Sequence, residues 1–496
     1  MSASIAPKPR GPRPVLVPEC CKACGRCIEA CARHCIEEGV AIHPATGLVP
    51  VRLHLEDCTA CGLCFDACPE PYGLRPESLD GCIDEDADKM LGRAADAEGG
   101  RRPVGGLGGS EALSSMVADV PPQLDEDIPD EWLPLPASAP LVIKGNHAAA
   151  IGAILAGCRH VFGYPITPST EGAELLAKLL PGLGGVFLQA PSEVATVNMM
   201  YGCGGAGLRS LTFTSSPGFS LMLEGLSYMV GAEVPGVFVN VMRGGPGLGN
   251  IAPEQSDVKL ACRGLGHGNT HAIVLAPATP QEMLDLTMLA FDLSFRYRNP
   301  VVVLADGYLG QMTGRVELPR TMVKPGLPAW AVWGDAGHRR NLIASIRLLE
   351  ADLEDFNRQL NVKYALMAAE EQRADLYRCE DAEVLVVAAN TPARMAKGAV
   401  RALRDAGWKV GLFRPVTLWP FPIRRLEPLL ARARRIVVVE AGPGQIEDEL
   451  RLALSHAGII TPAIDSVRHM GGVLPQPQEI VEKVLGGRGM GEEVRA

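Results

Sequence analysis

The chain has 496 residues, 47% apolar and 21% charged, with 55 glycines, 40 prolines and 5% aromatics. This is the composition of a turn-rich globular protein with room for about three domains. It has no run of eighteen apolar residues and its first residues lack an apolar signal core, so the expectation is a cytoplasmic protein with no membrane span. The net charge of −10 resides in one stretch: Glu77 to Glu131 holds 15 acidic and 4 basic residues. No basic patch interleaved with aromatics is present, which argues against nucleic acid as a partner.

Residues 1–76 carry ten of the 15 cysteines. Two sets, Cys21, Cys24, Cys27, Cys31 and Cys58, Cys61, Cys64, Cys68, share the spacing C-x2-C-x2-C-x3-C. Three thiolates spaced in this way wrap one corner of a cubane. In two-cluster ferredoxins the fourth thiolate ligates the other cluster. The spacing therefore predicts one [4Fe–4S] cluster on Cys21, Cys24, Cys27 and Cys68, and a second on Cys58, Cys61, Cys64 and Cys31. Structural zinc sites usually take two C-x-x-C pairs separated by a longer span. One departure is Ala32, where a proline would follow Cys31; Cys20 and Cys35 read as spare thiols. Two clusters conduct electrons but perform no reaction of their own.

Residues 77–137 read as an acidic Gly/Pro-rich linker, with Trp132, Leu133 and Leu135 available to dock. From 138 to 330, short β-rich runs such as "PGVFVNVM" and "PVVVLAD" alternate with helical patterns, which argues for a parallel sheet covered on both faces. Leu342, Ile346, Leu349, Leu353, Phe356 and Leu360 recur at helical spacing, predicting a long connecting amphipathic helix within 331–378. Residues 379–496 read as a second α/β unit.

Three stretches of the middle domain carry chemistry. "GYPITPST" (163–170) brackets Thr167 with two prolines. "APSEVATVNMM" places Glu193 at a helix start among apolar neighbours. In "VNVMRGGPGLGNIAPEQSD", Arg243 leaves a strand for a glycine-rich loop. The loop has no lysine–serine ending, so it is not a phosphate loop. On residues alone, Glu193 is equally a helix-start carboxylate, Thr167 a turn hydroxyl and Arg243 a surface ion pair.

"YPITPST", "SE" at 192–193, "TSSPGFSLMLEGLSYMVGAEVP", "RGGPGLGN" and "LFRPVTLWPFP" together resemble the α subunit of the 2-oxoacid:ferredoxin oxidoreductases, over about 141–485. The resemblance is nearest to the branched-chain (3-methyl-2-oxobutanoate) type, then to the 2-oxoglutarate type. It implies an α/β fold: a thiamine-diphosphate pyrimidine-type domain (138–330) and a C-terminal transketolase-like α/β domain (379–496), preceded here by a fused bacterial-type ferredoxin α+β module. It implies that Glu193 hydrogen-bonds the aminopyrimidine of thiamine diphosphate, that Thr167 contacts substrate and that Arg243 meets the substrate carboxylate. A planar guanidinium suits that last task because it pairs with a carboxylate bidentately.

The implied reaction converts a 2-oxoacid and coenzyme A to acyl-CoA, CO2 and low-potential electrons. The implied order of substrates is branched-chain 2-oxoacid, 2-oxoglutarate, then pyruvate or aryl glyoxylate. This chain has no Gly-Asp-Gly, and "ADGYLGQ" (305–311) lacks the needed spacing. The diphosphate and its Mg2+ are therefore expected on a β subunit carrying a third cluster. A γ subunit or domain, and ferredoxin or another redox subunit as acceptor, complete the expected partners. The alternative reading is a non-catalytic electron-transfer adaptor; intact Thr167, Glu193 and Arg243 argue against it. A transketolase-like transferase would leave the clusters without a purpose.

Overall fold

The computed structural model describes residues 12–486 apart from 22, 24, 45, 47, 69–73, 77–126, 336, 339–340 and 461. Cys24, Pro69 and most of the expected linker lie outside the described residues. The chain divides into two units, residues 1–104 and 105–496, with the boundary inside the acidic stretch.

The first unit contains β1 (Pro14–Leu16), α1 (Arg26–Ala30), β2 (Ile36–Glu37), β3 (Arg52–Leu53), α2 (Leu63–Ala67) and β4 (Leu74–Pro76). β1 pairs antiparallel with β4, and β2 with β3. The two cysteine sets adopt one backbone shape. Ala23 and Ala60 have φ of +53° and +54°, and Gly25 and Gly62, which open α1 and α2, have φ of +73° and +84°. Left-handed turns at matching positions curl the two loops in the same way. The core here is small: Cys27, Ile36, Val51, Cys64 and Leu74. So few apolar side chains call for a staple other than packing.

In the second unit the elements run β5 (Glu131–Pro134), β6 (Leu141–Lys144), α3 (Gly145–Leu155), β7 (His160–Gly163), α4 (Thr170–Leu179), β8 (Val186–Gln189), α5 (Glu193–Gly205), β9 (Ser210–Thr214), α6 (Ser216–Leu221), α7 (Leu223–Gly231), β10 (Gly236–Met242), α8 (Val258–Arg263), β11 (Ile273–Leu275), α9 (Pro280–Tyr297) and β12 (Pro300–Asp306). Then follow α10 (Gly307–Gln311), β13 (Thr313–Val316), β14 (Thr321–Lys324), α11 (Glu350–Glu370), β15 (Ala374–Tyr377), β16 (Val384–Val387), α12 (Asn390–Asp405), β17 (Val410–Pro415), β18 (Thr417–Trp419), α13 (Ile423–Leu426), β19 (Arg435–Glu440), α14 (Gln445–His456), β20 (Ala463–Arg468) and α15 (Pro477–Gly486).

The main sheet has the order β18–β11–β12–β10–β9–β7–β8. Its β11, β12, β10, β9, β7 and β8 run parallel, while β18 is antiparallel to β11. Every residue of β10 and β12 is buried, the signature of a sheet covered on both faces. Val237, Val239 and Val241 face α3 and α9, while Phe238 and Met242 face α5 and α7. The second sheet has the order β15–β17–β16–β19–β20, parallel except for edge strand β15. Because β18 follows β17 but joins the first sheet, the C-terminal domain is stitched to the middle one.

Two segments differ from their sequence reading. Residues 131–134, expected in the linker, form β5 and pair antiparallel with β14; Leu135 packs against the core of the second unit, while Trp132 and Leu133 stay exposed. The connecting helix starts only at Glu350. Upstream, Ile343, Ser345 and Arg347 turn inward at period two: the Arg347 guanidinium donates to the Gly231 carbonyl and lies 3.5 Å from the centre of the Phe356 ring. Leu342, Ile346, Leu348, Leu349 and Leu353 are exposed, and burial begins with Phe356, Leu360, Tyr364 and Met367. Contacts to α7 stabilise an extended run there more than one further helical turn would. No described helix is long and apolar enough to cross a membrane.

Candidate active site and thiol cavity

After β7 the chain moves outward to β8 and then crosses to β9 on the other side of β7. In open α/β sheets such a reversal leaves a crevice at the carboxyl ends of the strands, where ligands bind. The three predicted residues all leave carboxyl ends around this point: Thr167 after β7, Glu193 after β8 and Arg243 after β10.

Glu193 is the first residue of α5, whose preceding Ser192 caps the helix by accepting from the Ala195 N–H at 3.2 Å. The side chain is 4% exposed and accepts no hydrogen bond from a described residue. It lies against α6 after β9. A Cβ at Gly218 would come within 2.5 Å of both Glu193 Oε1 and Thr214 Oγ1, so only glycine leaves the carboxylate its place.

Arg243 is 8% exposed and pairs with no described carboxylate, which removes the ion-pair reading. Its Nη1 donates to the Thr167 carbonyl at 3.0 Å, and its Nε is buried with no partner. Its backbone is clamped: its N–H donates to Ser216 Oγ at 3.1 Å and its carbonyl accepts from Ser256 Oγ at 2.9 Å. The glycine loop beyond it folds tightly, with a Gly249 Cβ position only 1.7 Å from the Gly244 carbonyl oxygen. A buried cation with an unmatched donor is unfavourable until an anion arrives. Arg243 and Thr167 are thus in direct contact, and Ser216 at the head of α6 links Arg243 to the Glu193 side. The Thr167 side chain itself faces solvent.

Other residues that build the site carry no sequence signature. The Pro168 carbonyl accepts from Asn146 Nδ2 at 2.8 Å and Gln311 Nε2 at 3.0 Å. Glu171 accepts from the same two amides and from Lys144. This network holds the turn carrying Thr167. Asn240 donates to Asp257 at 2.9 Å beneath Arg243, and burial pushes the Asp257 carboxyl upward. Asp306, the acid of "ADGYLGQ", accepts from the Leu309 N–H and from the Thr391 N–H and hydroxyl. It joins the domains and is not presented to a metal. His267 meets Ser227 and the edge of Tyr228, a structural role.

In the first unit, Cys31, Cys58, Cys61 and Cys64 line one cavity of about 220 Å³, with Cys35 beside them. The Cys35 N–H donates to Cys31 Sγ at 3.3 Å, and the Ala60 N–H to Cys58 Sγ at 3.4 Å. Cys21, Cys27 and Cys68 adjoin the same small core. Among the described residues no three acidic, thiol or imidazole groups are close enough to hold a single metal ion. The four thiols surround a void wide enough for a polynuclear cluster.

The fold defines a three-layer α/β protein with a crevice where its parallel strands reverse. The family model described as "Pyruvate flavodoxin/ferredoxin oxidoreductase, thiamine diP-bdg" matches residues 151–328, and "Pyruvate:ferredoxin oxidoreductase core domain II" matches 382–480. The ketoisovalerate oxidoreductase subunit VorB of Methanothermobacter thermautotrophicus is 45% identical over 345 residues, 69% of this chain and 96% of that protein. The 2-oxoglutarate synthase subunit KorA of Methanocaldococcus jannaschii is 35% identical over 369 residues, 69% of this chain and 99% of that protein. The solved 2-oxoglutarate:ferredoxin oxidoreductase of Magnetococcus marinus, with 2-oxoglutarate, coenzyme A and succinyl-CoA bound, superposes with a TM-score of 0.62 at 28% identity; the match covers 70% of this chain and 65% of that one. The chain belongs to the 2-oxoacid:ferredoxin oxidoreductase family and is a subunit of an enzyme of that class. Neither family model reaches the cysteine-rich unit.

Proposed function

We propose that this chain is the α subunit of a thiamine-diphosphate-dependent, CoA-acylating 2-oxoacid:ferredoxin oxidoreductase, fused to its own two-cluster [4Fe–4S] module. The preferred substrate is a branched-chain 2-oxoacid. The observation that carries the reading is Arg243: a buried guanidinium with an unmatched Nε, held by the Thr167 carbonyl, at the strand ends where Glu193 also emerges.

Each residue then has a physical task. Arg243 binds the substrate carboxylate with its free donor and fixes its orientation. The turn 164–170, anchored through Pro168 by Asn146 and Gln311, presents Thr167 from the opposite wall. Glu193, buried and with no hydrogen-bond partner among the described residues, would accept a hydrogen bond from the cofactor's ring nitrogen and hold that proton in place. When bound, thiamine diphosphate supplies the carbanion chemistry that releases CO2. Its diphosphate and Mg2+ fall to a β subunit, since Asp306 is already committed. A γ subunit or domain, and ferredoxin or another redox subunit as acceptor, complete the complex. Cys21, Cys24, Cys27 and Cys68, with Cys58, Cys61, Cys64 and Cys31, hold the clusters that carry the electrons out.

Substrate choice follows from charge. Residues 163–170, 190–196, 214–218 and 243–252 contain one basic residue, Arg243. One cation matches a monoacid, whereas 2-oxoglutarate has a second carboxylate to neutralise. Exposed Tyr164, Leu248 and Ile251 offer apolar surface beside the crevice. Ketoisovalerate, in the name of the VorB relative, is 3-methyl-2-oxobutanoate. The test of catalysis is Glu193→Gln in the purified complex: 2-oxoacid oxidation should vanish while the iron–sulfur absorbance stays. Retained oxidation would replace this reading with the electron-transfer adaptor.

A further inference from the structure

We infer that the cleft between the middle and C-terminal domains, beside edge strand β15, binds a small molecule carrying two or more phosphates. The cleft is a cavity of about 380 Å³ walled by the start of α9, one face of α12 and strands β15 and β17, within the size range of small-ligand pockets.

Its charge is the first argument. Arg414 is satisfied within the cleft: it is bidentate to Glu282 at 2.6 and 3.1 Å and lies 3.4 Å from Asp375. That uses both carboxylates of the wall. Arg394, Lys397 and Arg401 remain, and none makes an ion pair with a described residue. They stand at i, i+3 and i+7 on α12, on one face of the helix. Like charges three and four residues apart repel, so the fold alone is weakened by this arrangement. The Arg394 guanidinium is aimed by its bond to the Ala278 carbonyl at 3.3 Å, and Lys397 Nζ is held 5.0 Å from the centre of the Tyr377 ring.

Gly398 is the second argument. It sits inside the 16-residue α12, between Lys397 and Arg401, and lines the cavity. A glycine there costs helix stability relative to almost any other residue. No described residue requires it, because a Cβ at Gly398 would meet open space. A bare backbone beside three unpaired cations suits a ligand that approaches the helix closely, and multiply charged phosphate is the chemistry that Lys and Arg recognise.

The cleft opens at the carboxyl end of β11, which β12 and β10 separate from β9. At about 4.8 Å per strand it lies roughly 15 Å along the sheet edge from the crevice. Two sources share the diphosphate ester: a free nucleoside diphosphate, or the coenzyme A of the proposed reaction. The binding arm of the test does not depend on that reaction.

Binding of ADP and of coenzyme A to the purified complex is measured by titration calorimetry, for wild type, Lys397→Glu/Arg401→Glu and Gly398→Leu. Saturable binding of either probe should weaken at least tenfold in both variants, while Gly398→Leu melts no lower than wild type. A parallel rise in KM for coenzyme A would identify the co-substrate as the occupant; an unchanged KM with lost ADP binding would identify a separate nucleotide. No binding of either probe to wild type would overturn the inference, as would equal binding in all three proteins. A loss confined to the charge-reversed variant would mark a diffuse field rather than a site, and would overturn it as well.

Discussion

Replacing Arg243 by methionine separates a substrate-binding cation from a structural one. Among the described residues the side chain gives one hydrogen bond, to the Thr167 carbonyl at 3.0 Å, and leaves Nε buried and unmatched. Losing the bond costs about 1 kcal/mol, and removing an unpaired buried charge returns a comparable amount. The stability of Arg243→Met should therefore stay within about 1 kcal/mol of wild type. Catalysis should not: truncating one partner of a desolvated charge pair costs about 2–5 kcal/mol, and 3 kcal/mol is roughly a hundredfold in kcat/KM. Arg243→Lys should recover part of this loss, because it restores the charge without the planar fork. The assays are thermal melting and anaerobic dye reduction across substrate concentration. Destabilisation by more than about 3 kcal/mol, with activity falling in step, would make Arg243 a clamp for the 164–170 turn and refute the reasoning.

Gly218→Ala should abolish most activity without unfolding the chain, since its Cβ would fall 2.5 Å from Glu193 Oε1; a loss of about a hundredfold, like that of a misplaced catalytic group, would be read in the same assay with the melting curve as control. Cys58→Ser should remove about four irons per copy of this chain, one cluster's worth, whereas Cys35→Ser should remove none, because four thiolates already complete each cluster. Glu440 is fully buried, one of its oxygens has no hydrogen bond and lies 3.8 Å from Arg468 Nε, and burial still raises its carboxyl to about 7. The folded chain therefore binds a proton there that the unfolded chain, with an ordinary carboxyl, releases near pH 4.5. This contribution to stability is complete below about pH 4.5 and is lost as pH rises through 7. Glu440→Gln should gain up to about 3 kcal/mol on wild type at pH 8 and nothing at pH 4, as read by denaturant titration at the two pH values.

The α/β class was legible because β10 and β12 are continuous apolar runs, which only a doubly covered sheet accommodates. Spacing alone groups Cys31 with Cys58, Cys61 and Cys64 as an expectation, and these four thiols, together with Cys35, line one cavity. Strand order was not legible. β12 inserts between β11 and β10, and β18 arrives from the next domain; apolar runs state that a strand is buried but not beside what. Asn146 and Gln311 escaped for a related reason. They are single amides meeting at the Pro168 carbonyl from 22 and 143 residues away, and no local pattern marks them. β5 was hidden in an acidic, proline-rich stretch because its partner β14 lies about 190 residues downstream. The helix over 342–349 failed because period-two contacts to Gly231 and Phe356 compete with helical spacing.

The most direct test of the central claim is anaerobic viologen reduction by the purified complex with thiamine diphosphate and coenzyme A held fixed, comparing 3-methyl-2-oxobutanoate, 2-oxoglutarate, pyruvate and phenylglyoxylate. The account predicts reduction with 3-methyl-2-oxobutanoate at the highest kcat/KM and strict dependence on Glu193. Higher kcat/KM with 2-oxoglutarate would contradict the single-cation reading of the crevice. No reduction with any acid, in a complex whose iron–sulfur spectrum is intact, would contradict the account as a whole.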